Sequence, residues 1–406
     1  MRISSTQYFN MNVATMSDQQ AQLSQLYQEI ASGVSLSTPS DNPLGAAQAV
    51  LLSSTATSLS QYTTNQGAAL SSLQQEDSTL GSVNTVLQSI HTLVLRAGDG
   101  SLNDGDRGSL ATQLESLRSQ LLTLANATDP QGNALFGGYQ STAQPYTTNS
   151  AGVVTYSGDA GTPSMQITSS HTIQTGDNGV AIFGSVAAIG TSSVPAATAG
   201  NTGTGVISTV SLTNPTDPTN ADTYKINFTS ATTYTVTQTP PGGTPTTSGP
   251  QPFTAGSAIT VGGQTVNVTG APNAGDSFTV TPATQGSTDV FANLSQLITT
   301  LQTPVSGGAS TASFQSALTT SMTQLENTMN NVVTAQAAVG GREQEVQALQ
   351  TVTQTNTLQT ASNLADLTQT DMAKTIGQYT MTQNALQAAQ QAFVKIQSVS
   401  LFQYLN

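Results

Sequence analysis

The chain has no cysteine and no tryptophan. Without a thiol there is no disulfide, no thiolate metal site and no cysteine nucleophile. Charge is also scarce: only 7% of the 406 residues are Asp, Glu, Lys or Arg, against about a quarter in an ordinary soluble domain. Eight Lys and Arg stand against 21 Asp and Glu, a formal net charge of −13. No basic patch can be assembled from so few cations, which excludes nucleic acid as a partner and disfavours an anionic membrane surface. No apolar run reaches the roughly eighteen residues needed to span a bilayer. The N-terminal stretch lacks the basic region, apolar core and small-residue site of a cleaved signal peptide. Hydrophobic residues make up 36% and aromatics 5%. That is a thin supply for one large core in a chain whose length predicts two or three domains. Elongated helices and small β units, which bury less per residue, are the expected architecture. Ser, Thr, Gln, Asn and Gly fill the deficit, so the surfaces are polar and nearly uncharged.

The chain does contain heptads. Phe9, Met16, Leu23 and Ile30 recur at sevens, which keeps side chains on one stripe of a helix and offers a seam to another helix. Leu52, Leu59, Leu73, Leu80, Leu87 and Val94 do the same, with Gln66 as the one polar interruption. Between the two series lies a break, Ile30-Ala31-Ser32-Gly33 through Ser40-Asp41-Asn42-Pro43. Gly33 suits the left-handed residue that ends a helix. Asn42 suits a cap, and Pro43 suits the first turn of the next helix, where its missing N–H goes unneeded. Taken as one helix, residues 43–97 would be roughly 80 Å long. Leu110, Leu114, Leu117, Leu121 and Leu124 step by four and three and predict a return helix packed on it. Near the other end, Leu358, Ala365, Met372, Tyr379, Leu386 and Phe393 recur at sevens and predict one continuous stripe.

Residues 139–285 change character. Tyr224, Ile226 and Phe228 alternate, as do Tyr234 and Val236, Val266 and Val268, and Phe278 and Val280. Alternation of β-branched and aromatic residues marks half-buried strands. Pro240 to Pro252 reads as a loop or hairpin end, and Ala187 to Thr204 as a low-complexity connection. Helical spacing returns at Phe291, Leu294, Leu297, Ile298 and Leu301, stops near Pro304, and resumes over 313–339. The organisation expected is therefore mixed α and β: an elongated antiparallel helical bundle formed by both chain ends, with a β-rich domain inserted between them. The divisions are 1–42, an N-terminal assembly helix and loop; 43–138 and 286–345, the two halves of a helical core; 139–285, the β-rich outer domain; and 346–406, a C-terminal assembly helix.

No set of residues supports catalysis, a cofactor or a metal. His91 and His171 are the only histidines, and each stands alone in its pattern. Asp99, Ser101 and Asn103 mimic the start of a calcium loop, but Asp104 and Leu110 occupy the places of its glycine and closing Glu. Asp41, between two prolines, reads as turn and cap chemistry. The inner heptads have partners within the chain. The outer ones can at best pair with each other, and a two-helix pair leaves apolar stripe in water that usually meets another molecule. The expected assembly seam is Phe9, Met16, Leu23, Ile30, Leu358, Met372, Tyr379, Leu386 and Phe393.

Several stretches resemble one family. The opening Met1-Arg2-Ile3-Ser4-Ser5-Thr6 and the run Ile30-Ala-Ser-Gly followed by Pro39-Ser-Asp-Asn-Pro43 resemble the flagellin superfamily. The form with both prolines is closest to its hook–filament junction (hook-associated protein 3) family. Asn126-Ala-Thr-Asp-Pro-Gln-Gly-Asn-Ala-Leu-Phe-Gly-Gly-Tyr139 with Pro145-Tyr146 is similar to the end of the second core helix in both families. Thr155 to Gly161, Asn178-Gly-Val-Ala-Ile-Phe183, Asn330 to Arg342 and the terminal Ser400-Leu-Phe-Gln-Tyr-Leu405 resemble the junction family specifically. The resemblance implies a structural subunit of the bacterial flagellum joining the hook-associated zone to the flagellin filament. The partners implied are another hook-associated protein, flagellin, copies of the same chain in a ring, and an export chaperone. It also implies secretion through the flagellar export channel without signal cleavage, and an arrangement with terminal helices innermost and the β insert outward. The alternatives are a flagellin-type filament subunit and, from another class, a secreted adhesin.

Overall fold

The computed structural model describes residues 5–36, 38–40 and 42–398. Among them are helices α1 Ser5–Ser32, α2 Pro43–Ala97, α3 Asp104–Ala125, the short α4 Gly179–Phe183, α5 Val290–Gln302, α6 Ala309–Thr368 and α7 Met372–Ser398. All the strands fall between Tyr146 and Thr281, so the order of helical arm, β insert and helical arm is as expected. The chain forms two compact units. One takes the residues up to 64 and those from 349 on; the other is 65–348. Helices α2 and α6 supply residues to both.

In the first unit α1 packs against α7. The pair is antiparallel: Phe9 meets Phe393 at 5.2 Å between ring centroids, and Tyr27 meets Tyr379 at 6.5 Å. The α1 side of the seam alternates threes and fours through Phe9, Asn12, Met16, Gln19, Leu23, Leu26 and Ile30. The α7 side does the same through Thr375, Tyr379, Thr382, Leu386, Ala389 and Phe393. Each helix thus has a second line at sevens that is largely polar or small, and so is invisible to a search for apolar spacing. Among the described side chains of these two helices, only Leu26 and Thr375 are buried.

The break after α1 forms as expected. Gly33 takes φ of +70°, a conformation that strains any residue with a Cβ, and Asn42 Oδ1 accepts from the Gly45 N–H at 3.0 Å to cap α2. Asp41 lies outside the described residues. The C-terminal stripe departs from expectation, because it is not one helix. α6 ends at Thr368 and α7 starts at Met372, capped by Asp371, whose Oδ1 accepts from the Lys374 N–H at 3.1 Å. The physical reason lies across the unit. The two breaks mate: Val34 bridges Gln369, Ser35 N–H donates to Thr368 O at 2.8 Å, and Thr370 N–H donates to Gly33 O at 3.0 Å. Each break satisfies backbone groups that a helix end leaves unpaired.

In the second unit α2 buries two heptad lines, Leu73, Leu80, Leu87 and Val94 with Ala69, Val83, Ile90 and Ala97. α3 starts at a reciprocal cap between Asn103 and Asp106, so the residues that mimicked a calcium loop serve as turn and cap. The return helix packs against α5, which Asp289 caps at its N-terminus. The stretch 313–339 is part of the much longer α6, which runs through Gly340-Gly341 without a stop. Each glycine there costs about 1 kcal/mol relative to alanine, outweighed by the burial of Val332, Val339 and Val346 at sevens.

The strands form two hairpins and two sheets, all antiparallel. β1 Tyr146–Thr148 pairs with β2 Val154–Tyr156, and β3 Ser164–Gln166 with β4 Thr172–Gln174. β5 Val194–Ala197, β6 Val206–Ile207 and β7 Ser211–Leu212 precede the long β8 Thr223–Ser230 and β9 Thr233–Thr239. β10 Thr246–Thr247, β11 Gln251–Pro252, β12 Ala258–Val261, β13 Gln264–Thr269 and β14 Ser277–Thr281 follow. The larger sheet runs β10-β9-β8-β14-β5 with β11 also on β9; the smaller runs β12-β13-β6 with β7 also on β13. Ile226, Phe228, Phe278 and Val280 of one meet Ile259, Val266 and Val268 of the other in a buried core. Full burial of each such side chain is worth about 1.5–3 kcal/mol. The stretch 187–204 is more than a connection: it contributes β5, an edge strand paired with β14. Its sequence Val-Pro-Ala-Ala hides this, since proline is tolerated only on a sheet edge. Thr320 Oγ1 on α6 donates to the Pro195 carbonyl at 2.7 Å and covers part of that edge.

Candidate assembly surfaces

Of the expected seam residues, the structure brings Phe9, Met16, Leu23, Ile30, Tyr379, Leu386 and Phe393 to the α1–α7 contact, all but Phe9 half-buried. It leaves Met372 at the start of α7, 42% exposed, and Leu358 on α6, 73% exposed. The buried line of that part of α6 has another phase, Thr353 and Thr360 continuing Val339 and Val346 at sevens. Two threonines in the buried places are why apolar spacing points to Leu358 instead. Leu44, Val50, Leu51, Val352 and Met381 of this unit are exposed as well, so it carries apolar surface that no described residue covers.

In the second unit the stretches 126–146, 155–161 and 178–183 that carry the resemblance converge; Met1 to Ser4 and Ser400 to Leu405 lie outside the described residues. Phe136, Tyr146, Phe183 and Phe291 form one aromatic cluster. Phe136 and Phe183 meet edge-on at 5.5 Å, Tyr146 and Phe183 at 5.7 Å, and Tyr146 and Phe291 at 5.1 Å; Tyr156 joins at 5.1 Å from Tyr146. Such pairs add about 0.5–1.5 kcal/mol each beyond their buried area. Polar contacts fix the backbone around them. Asn126 and Tyr146 exchange two hydrogen bonds of 2.9 Å between amide and backbone, and Gly179 N–H donates to Phe136 O at 2.9 Å. Gly179 is required to be glycine, since a Cβ there would sit 2.7 Å from both Tyr146 and Tyr156. Burial holds the Tyr146 and Tyr156 hydroxyls above their ordinary pKa, so both are neutral structural groups.

The asparagines of α6 do the complementary work. Asn327 Nδ2 donates to Ser192 O and its Oδ1 accepts from Ser192 N–H, both at 2.8 Å. Asn330 Nδ2 reaches Gly190 O at 2.8 Å. Asn331 Nδ2 reaches Ala181 O at 2.7 Å and Ile182 O at 2.9 Å. Together they clamp residues 181–192 to α6. Further along, Arg342 pairs with Asp177 at 2.5 Å. Gln66, the polar interruption in the heptad, is fully buried and donates to Ile167 O at 2.8 Å. It holds the β3–β4 hairpin.

Each histidine faces a glutamate: His91 lies 3.8 Å from Glu326 and His171 2.8 Å from Glu345. Among the described residues no group of three His, Asp or Glu is placed to hold a metal ion, and no helix is long and apolar enough to cross a membrane.

Residues 3–141 match the family described as the bacterial flagellin N-terminal helical region. Flagellar hook-associated protein 3 of Salmonella typhimurium is 26% identical over 404 residues, and that of Escherichia coli is 27% identical over 404 residues, in each case covering 99% of both chains. The crystal structure of hook-associated protein-3 from Legionella pneumophila superposes with a TM-score of 0.69 at 26% identity, covering 78% of this chain and 98% of that one. The similarity to hook-associated protein 3 runs through both helical arms and the insert, over 99% of the chain, while the flagellin-type helical region is matched in the N-terminal arm.

Proposed function

We propose that the chain is a structural subunit of the bacterial flagellum that joins the hook-associated zone to the flagellin filament by helical packing. Whole-length similarity to hook-associated protein 3 carries this reading. The unit built on α1 and α7 supplies the means: a two-helix seam, mated breaks, and apolar side chains that no described residue covers. Asymmetric head-to-tail contact between such units closes a ring or continues a helical tube. The partners are flagellin on one side, another hook-associated protein on the other, and copies of this chain beside it. No chemistry is needed, and the protein is not an enzyme. Delivery runs through the flagellar export apparatus with an export chaperone. The outward-directed seam comprises Leu358 and Met372, and Phe9, Met16, Leu23, Ile30, Tyr379, Leu386 and Phe393 hold the α1–α7 pair that presents it.

The test is complementation of a strain lacking the native gene. Leu386→Asp puts a carboxylate into the half-buried α1–α7 pair that presents this seam and that assembly dries, at a cost of several kcal/mol. Its expected outcome is flagellin shed into the medium without filaments. Replacing residues 240–252 with a short Gly/Ser turn touches neither seam and leaves swimming intact. Normal filaments with Leu386→Asp, or loss of filaments from the loop change alone, overturns the seam mechanism.

A further inference from the structure

The β3–β4 hairpin and the turn after it, residues 164–178, are fastened to α2 and α6 by side chains reaching across. Asn65 Nδ2 donates to Gln166 O at 2.7 Å, Gln66 Nε2 to Ile167 O at 2.8 Å, and Ser72 Oγ to Thr175 O at 2.8 Å. The last fastening is unlike the others. Glu76 on α2 is 1% exposed. Its Oε1 accepts from the Asp177 N–H at 3.1 Å, while Oε2 is buried with no donor among the described residues. Asp177 is already satisfied, with Arg342 Nη2 on Oδ2 at 2.5 Å and Gln174 Nε2 on Oδ1 at 2.5 Å. Two carboxyls thus face one guanidinium, which is bonded to Asp177, with Glu76 buried and the other two nearly so. With both ionised, the site holds an uncompensated negative charge and a bare carboxylate oxygen, which buried positions do not tolerate. One proton removes both faults, because a neutral Glu76 can donate toward Asp177.

We infer that a single proton held between Glu76 and Asp177 latches residues 164–178 onto α2 and α6, and that alkaline conditions release the strap. The surrounding charges leave this balance in place. Arg342 is already engaged by Asp177. Asp129 lines the same cavity of about 310 Å³ as Glu76, and its carboxylate is engaged by the N–H groups of Gln131 and Asn133. On α6, Glu345 contacts His171 of the hairpin at 2.8 Å. Glu343 on α6 and Asp77 on α2 add only negative charge. Burial first, and then the Asp177 charge, push the Glu76 carboxyl up to about 8 from its ordinary 4.5, with Arg342 pulling the other way. The closed strap therefore keeps the proton that an open strap loses. Opening becomes about tenfold easier per pH unit between those two values and levels off above about 8.

Hydrogen–deuterium exchange of the full-length protein between pH 5.5 and 9.5 tests this, with rates corrected for the intrinsic effect of pH. The background is His171→Gln, which removes the strap's ion-pair contact with Glu345. The expected protection of residues 164–178, and of the Asp177 N–H above all, falls by roughly 300-fold from pH 5.5 to a plateau reached above pH 8. Adding Glu76→Gln, which mimics the protonated acid, makes the profile flat at the protected level. Protection in the His171→Gln protein that does not change with pH overturns the latch, as does an unchanged slope after Glu76→Gln. The Asp177 amide resonance gives a reading that needs no variant at Glu76: it titrates with a midpoint above 7 if the proton is held, and a midpoint near the ordinary carboxyl value overturns the inference.

Discussion

Asn327 offers the sharpest test of how the second unit is held together. It is 3% exposed and makes two hydrogen bonds with one residue, Ser192, through its own amide oxygen and nitrogen. Asn327→Ala deletes both. Ser192 is itself exposed, so water can take over its backbone groups. The cost is therefore the net value of two hydrogen bonds, about 2 kcal/mol, and not the larger penalty of stranding buried partners. A unit of about 280 residues unfolds with an entropy near 0.6 kcal/mol per kelvin, so its calorimetric midpoint falls by about 3–4 °C. Asn327→Asp separates this account from loss of packing. The carboxylate keeps the acceptor for Ser192 N–H but sets a second oxygen against the Ser192 carbonyl. A protonated carboxyl can donate to that carbonyl as the amide did. The repulsion raises the folded-state pKa of the introduced acid. The variant is thus nearest wild type below the unfolded-state pKa of about 4, and it loses stability as pH rises through the folded value. A midpoint within 1 °C of wild type for Asn327→Ala, or an Asn327→Asp deficit the same at pH 4 and pH 7, refutes the clamp.

Two further expectations concern the remaining surfaces. Gly179→Ala forces a methyl against the Tyr146 and Tyr156 rings and destabilises the aromatic cluster by about 1–3 kcal/mol, the usual range for an overpacked core, which thermal unfolding monitored by tyrosine fluorescence reads; an unchanged midpoint contradicts the packing described. In the unassembled protein, limited proteolysis cuts within α1 and α7 before it cuts within 65–348, because few side chains of the α1–α7 pair are fully buried and opening there costs little; early cleavage inside the second unit with α1 and α7 protected contradicts that.

Much of the helical frame is legible in the residues alone. Spacing at sevens in α2 marks the side that is buried from Leu73 to Val94, since a long apolar stripe has only one way to escape water. Gly33, Asn42 and Pro43 mark a helix end and a restart by local backbone chemistry, which needs no tertiary partner. Alternation at Tyr224-Ile226-Phe228 marks β8 because its two faces meet different environments. The break at 369–371 was within reach of the same reasoning. Thr370-Asp371 is capping chemistry, obscured by a heptad register that continues across the gap.

Other features belong to the tertiary structure alone. Val194-Pro-Ala-Ala carries no strand signal, and becomes β5 only because the edge of β14 stands open beside it. Asn327, Asn330 and Asn331 read as a polar patch on a helix; they are a clamp because the backbone of 181–192 passes within reach of α6. Gln66 reads as a fault in an apolar stripe, yet it and Glu76 are buried against a strap that lies 101 residues further along the chain from each. Local rules act through neighbours in sequence, so composition and spacing determined the helices, the break and the inserted β character. A buried polar group takes its meaning from its partner, and partners this far apart along the chain were chosen only when the chain folded.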